Sequence, residues 1–130
     1  VKLKHLDEYA AARNEAAAHY DRELKGLAHL HLPERSANST HVFHQYTLRV
    51  RPAHRDGLRK HLEATAAPAM IYYPVPPHMQ PAYEDDALRP SDLPVTEQLM
   101  IEVLSLPTST ELDPEQRDHI TSAIKGYFSK

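Results

Sequence analysis

Met70-Ile-Tyr-Tyr-Pro-Val-Pro-Pro-His-Met-Gln-Pro-Ala-Tyr83 is the most informative stretch of the 130-residue chain. It opens as a short apolar strand, Met70 to Tyr73, and then changes character. Pro74, Pro76 and Pro77 stiffen the chain beyond the strand, which lowers the entropy cost of holding a loop in a binding-ready shape. Tyrosine offers an apolar ring and a hydroxyl, a combination suited to nucleotide bases and sugars. Neighbouring strand residues point to opposite faces, so Tyr72 and Tyr73 are expected to divide between core and solvent. By residue type alone two readings stand level. The segment is a shaped binding loop, or it is sheet packing with a proline-shaped turn after it.

Upstream, Pro68 breaks a short helix expected from Arg55 to Ala66, with Leu58 and Leu62 inward and Arg59, Lys60 and Glu63 exposed. Before it, His41-Val-Phe-His-Gln-Tyr-Thr-Leu-Arg-Val50 has the aromatic and β-branched content of a strand, stopped by Pro52. Val42, His44, Tyr46, Leu48 and Val50 share one face if that strand has no bulge. Glu34 to Thr40 is a polar turn, and Leu27 to Pro33 is extended. At the start, Leu3, Leu6, Ala10, Ala17, Tyr20, Leu24 and Leu27 recur at spacings of three and four, with Arg13 as the interruption. This is a long amphipathic helix ending near Gly26. Its narrow seam suits packing across another domain or subunit, and equally suits covering its own sheet.

Downstream, Pro74 to Asp92 lacks periodicity and ends in Glu84-Asp85-Asp86, read as a solvated loop. A helix is expected from Val95 to Val103 with Leu99 and Val103 inward, then a very short strand, Leu104-Ser105-Leu106, before Pro107. The last helix is the best marked. Asp113 is its N-cap, Pro114 its first residue, Gln116 completes a capping box, and Ile120, Ile124, Tyr127 and Phe128 form the buried face. The order describes an α+β layer: a small, mostly antiparallel sheet with helices packed on one side.

The net charge of -3 and pI of 6.4 come with lysines and arginines spread along the chain, which argues against nucleic-acid binding. No apolar run is long enough to cross a bilayer, and the start lacks a secretory h-region. Zero cysteines exclude a disulfide framework and thiolate chemistry, and a cytoplasmic protein is the simplest expectation. The chain opens inside a helical pattern without methionine, as a piece of a longer protein would. There is no glycine-rich phosphate loop, no Gly-x-Ser-x-Gly and no HExxH. His41 and His44 point to opposite faces of a strand, and His29 and His31 have no evident third partner, so no metal site is expected.

Residues 70–83 resemble the loop of the DegT/DnrJ/EryC1/StrS family of pyridoxal-phosphate (PLP)-dependent sugar-nucleotide aminotransferases. Residues 41–50 resemble the family's strand after the interdomain helix. Pro94-Val-Thr-Glu-Gln-Leu-Met-Ile-Glu-Val-Leu-Ser-Leu-Pro107 resembles its next helix and short strand, and residues 1–20 resemble the second part of the interdomain helix. The resemblance covers essentially the whole chain and implies the small domain of a fold-type I enzyme. Residues 1–27 would be the second part of the interdomain helix, and 28–130 the C-terminal small domain. The implied reaction moves an amino group, with glutamate as donor, onto a keto-sugar linked to a nucleoside diphosphate, in a homodimer. The cofactor is the electron sink, held by a preceding large domain that carries the Schiff-base lysine. Lys2, Lys4, Lys25, Lys60, Lys125 and Lys130 sit on helix faces or at the terminus. The implication is therefore no cofactor and no catalytic residue on this chain, and no activity from it alone. Tyr72, Tyr73 and His78 match positions that contact substrate in relatives. The chain departs from the pattern at Pro77, at Tyr72 where histidine is common, and at Ala66-Ala67-Pro68 where a glycine is usual. Without that glycine a left-handed helix cap is strained by about 1 kcal/mol. Two competing readings are a free-standing binding domain of the same fold and a small metal-binding protein using the histidines. The first helix's seam also implies self-association when it lacks a covering domain.

Overall fold

The structure, a computed structural model, describes residues 2–83 and 93–129. A 3-10 turn at Lys2–His5 leads into α1 (Leu6–Glu23), then β1 (Leu30–His31), β2 (Tyr46–Val50) and α2 (Pro52–Ala64). After the 70–83 segment come α3 (Pro94–Glu102), β3 (Val103–Leu106) and α4 (Pro114–Phe128). The strands form an antiparallel sheet in the order β1-β2-β3, with Leu48 opposite Leu104 and Tyr46 opposite Leu106.

Alternation sends Tyr46, Leu48 and Val50 to one face, where α1, α2 and α4 cover them. One core joins these to Ala17, Tyr20 and Leu24 of the α1 segment, Leu58 and Leu62 of α2, and Ile120 and Ile124 of α4. This is the expected α+β layer. The other face carries Thr47, whose hydroxyl meets that of Ser105 at 2.8 Å, and Arg49, whose Nε donates to Glu102 at 2.8 Å. α4 begins on the expected capping box: Asp113 accepts from the Gln116 amide, and the Gln116 side chain accepts from the Asp113 amide.

Several element boundaries differ from expectation, each for a local reason. The strand begins at Tyr46, not His41, so Val42 and His44 lie outside the shared face. The His41 imidazole accepts the Phe43 amide, Asn14 takes the His41 carbonyl, and Phe43 turns to a φ of +44°. Those groups are thereby withdrawn from a ladder. Met70 to Tyr73 makes only one bridge, Met70 with Ser105. α1 stops at Glu23, and Gly26 takes the expected left-handed turn at φ +78°. Pro52 does not merely end the strand; it opens α2, since a helix's first turn needs no proline amide. In α3 the buried residue is Glu102, while Leu99 is half-buried and Val103 leaves the helix to start β3. Ala66 adopts φ +56°, a left-handed conformation after the end of α2.

His29 and Glu102 are two of the groups that make the fold acid-sensitive. His29 stacks on His54 at 4.6 Å, and burial, then His54, then Arg51 hold its imidazole below the usual range. Glu102 is held below the usual carboxylate range by hydrogen bonds from Gln98 and then Arg49. Both groups bind protons less readily folded than unfolded, so stability rises with pH. We expect Tm to fall first as pH drops from about 6.5, the ordinary imidazole value, and again below about 4.3. His29→Asn should flatten the first step in a melting series; an unchanged profile would remove His29 from the account.

Candidate functional site

The 70–83 segment leaves the edge of β3 at Met70, whose amide and carbonyl both bond to Ser105. Beyond that bridge no ladder holds the described chain, and the tyrosines do not divide between core and solvent. Tyr72 is 40% exposed and Tyr73 73%, and their rings meet edge to face at 5.8 Å. The peptide bond joining them is cis. Pro76 is buried, and short 3-10 turns at Pro77–Met79 and Pro81–Tyr83 close through Met79 N–H to Pro76 O and Tyr83 N–H to Gln80 O.

His78 goes elsewhere. Its side chain is 4% exposed, and Nε2 lies 3.5 Å from the Glu97 carboxylate on α3. The loop thus brings Tyr72 and Tyr73 together on the surface and turns His78 inward against α3. The acidic run Glu84-Asp85-Asp86 lies outside the described residues.

The two tyrosines line a cleft of about 670 Å³. Its other walls include Arg13 of α1, His44 and Gln45 from the approach to β2, and Thr108 after β3. The Tyr20 hydroxyl, buried beneath, donates to Pro107 O at 2.8 Å and ties α1 to the cleft floor. Of these residues, Arg13 left a trace in the sequence as the charge that interrupts an apolar seam, while His44 reads there as a strand residue. His44 and Gln45 reach the cleft because the chain before β2 is irregular, which the strand reading hid.

The described lysines do not fit a Schiff-base role. Lys2, Lys4, Lys25 and Lys60 are exposed, and Lys125 is bound to Glu23 at 2.9 Å. Such a lysine needs a desolvated, positioned setting. Among the described residues, no group of three or more histidines and carboxylates could hold a metal ion, and no helix is long and apolar enough to cross a membrane.

The structure is a small α+β unit that offers two exposed tyrosines over an open cleft. The chain belongs to the DegT/DnrJ/EryC1/StrS aminotransferase family, whose sequence model it matches over residues 1–125. It is similar to the erythromycin biosynthesis sensory transduction protein EryC1 of Saccharopolyspora erythraea, with 41% identity over 125 residues, 96% of this chain and 34% of that protein. It is 36% identical over 130 residues to the dTDP-3-amino-3,4,6-trideoxy-alpha-D-glucose transaminase of Streptomyces venezuelae, covering 100% of this chain and 34% of the relative. Among solved structures, Streptomyces venezuelae DesV in complex with a ketimine intermediate aligns with a TM-score of 0.93 and 34% identity, covering 98% of this chain and 34% of that one. The Bacillus subtilis protein ntda with bound cofactor PMP aligns at a TM-score of 0.81 and 25% identity, over 94% of this chain and 29% of that one. The chain therefore spans about a third of the length of the curated relatives it matches.

Proposed function

We propose that this chain is the C-terminal small domain of a PLP-dependent aminotransferase that aminates a keto-sugar nucleotide. Residues 1–27 are the second part of its interdomain helix, and residues 28–130 are the small domain proper. The observation that carries the reading is the pair of solvent-facing rings, Tyr72 and Tyr73, presented over an open cleft in a chain of this family. The transaminase name of the Streptomyces venezuelae relative supports a nucleotide-linked sugar as substrate. PMP bound to the Bacillus subtilis protein supports the cofactor.

In the whole enzyme the cofactor supplies an electron sink for moving an amino group, with glutamate as donor. This chain's contribution is to bind and to enclose. Tyr72 and Tyr73 provide flat apolar surface with hydroxyls for the substrate's sugar or base. His78 anchors the loop that carries them, through its burial against α3. Closing such a face over a site excludes water from the reacting atoms. The enzyme is a cytoplasmic homodimer, and this chain is inactive alone because no described lysine suits the cofactor.

Borohydride reduction in the presence of PLP, read by intact mass, tests this. The 130-residue chain should gain no stoichiometric adduct. The same chain preceded by the portion that its relatives carry should gain one, and should transfer nitrogen from glutamate to keto-sugar nucleotides. A stoichiometric adduct on a lysine of this chain would overturn the reading.

A further inference from the structure

We propose that Arg13 makes the tyrosine cleft an oxyanion site, receiving a phosphate or carboxylate group of the ligand. Arg22, Arg35, Arg49, Arg55, Arg59 and Arg117 each meet a carboxylate within 3.4 Å. Among the described arginines only Arg13 and Arg51 do not, and Arg51 is exposed to water. Arg13 is half-buried, and its guanidinium makes no hydrogen bond or ion pair among the described residues. A partly desolvated charge without a partner is costly, and a bound anion offsets that cost.

The surroundings select the sign of the ligand. Among the described residues the cleft is lined by no aspartate or glutamate; its polar walls include His44, Gln45, Thr108 and Ser109. The charge of Arg13 is therefore not neutralised from within. Its planar fork matches the two oxygens of a phosphate or carboxylate, and the tyrosine rings offer flat surface to the rest of such a ligand. Position in the sequence agrees. Arg13 stands where the apolar seam of α1 calls for an aliphatic residue, and it pairs with no other described residue of the fold. This deepens the proposed function and rests on it only for the identity of the ligand; both phosphates and carboxylates occur among the reactants proposed there.

NMR titration of the 130-residue chain tests the site directly, through the Arg13 Nε–Hε signal and the Tyr72 and Tyr73 amides. Pyrophosphate and glutarate serve as separate probes at matched ionic strength. A saturable shift with pyrophosphate alone assigns the site to a phosphate, with glutarate alone to a carboxylate, and with both to oxyanions generally. Arg13→Gln should weaken the binding by about tenfold or more, the loss of hydrogen bonds to a charged group. Arg13→Lys should weaken it by a smaller factor, because the fork is lost and the charge kept. Arg51→Gln should leave it unchanged. If Arg13→Gln does not fold, as circular dichroism would show, Arg13→Lys carries the comparison. No saturation with either probe, or Arg13 variants that titrate like the parent, overturns the proposal. The test involves neither cofactor nor amino transfer, so its failure leaves the aminotransferase reading standing. An adduct on this chain would sink that reading without touching Arg13.

Discussion

Leu48→Ala should lower folding stability by about 3–5 kcal/mol, the upper range for a leucine truncated at a site that cannot collapse. Leu48 is fully buried in the middle strand, in register with Leu104, and belongs to the one cluster that joins the sheet to α1, α2 and α4. Its removal leaves a void walled by regular elements on both sides, and backbone hydrogen bonding resists their approach. Urea denaturation reads the loss as a lower midpoint at unchanged slope. Leu6→Ala is the matching control. Leu6 lies on α1 but is 52% exposed, so its change should stay within about 0.5 kcal/mol. Equal losses at both positions would mean that the core is not where the sheet places it.

Asp21→Ala comes next, at about 2–3 kcal/mol, the upper range for a lost hydrogen bond to a charged group. The Asp21 carboxylate accepts from the buried Tyr46 hydroxyl at 2.6 Å and from Arg35 at 2.6 Å. The Arg35 pair is partly exposed and contributes little by itself. The loss comes from leaving the Tyr46 hydroxyl desolvated and unpaired. Tyr46→Phe removes that hydroxyl. In the Tyr46→Phe background Asp21→Ala should cost about 1–2 kcal/mol less, a coupling that a double-mutant cycle isolates. Additive losses would show that the hydroxyl does not depend on Asp21. Arg35 also stacks over Phe43 at 4.5 Å, so Asp21→Ala should speed proteolysis between residues 34 and 44.

Asp21 also illustrates where sequence reasoning works, because its partners are invisible to it while its neighbours' local signals are not. The Asp113 box and Pro114 place the start of α4, and Gly26 takes the left-handed turn. Leu58 and Leu62 reveal the inner face of α2 by spacing alone. What escaped was decided by competition between distant groups. His41 to Gln45 have strand-like composition, but an asparagine on α1 and an imidazole two residues away claim their backbone. The same holds for the site. The tyrosine pair stands out in the sequence because prolines frame it. That both rings face solvent depends on the ladder ending at Met70. That His78 turns inward depends on α3, which lies beyond the loop in sequence. Arg13 reads as a flaw in an apolar stripe until the fold sets it in the cleft that Tyr72 also lines.

The pinning of the 34–45 segment has a mechanical meaning for the cleft. Asn14 holds the His41 carbonyl, and Asp21 holds both Arg35 and Tyr46. Arg13, His44 and Gln45 therefore hang from one support, α1. Tyr72 and Tyr73 stand on another, held at the edge of β3 by the Met70 bridge and against α3 by His78. The cleft is a jaw whose arginine wall is braced by one helix and whose tyrosine wall is braced at two points, Met70 and His78.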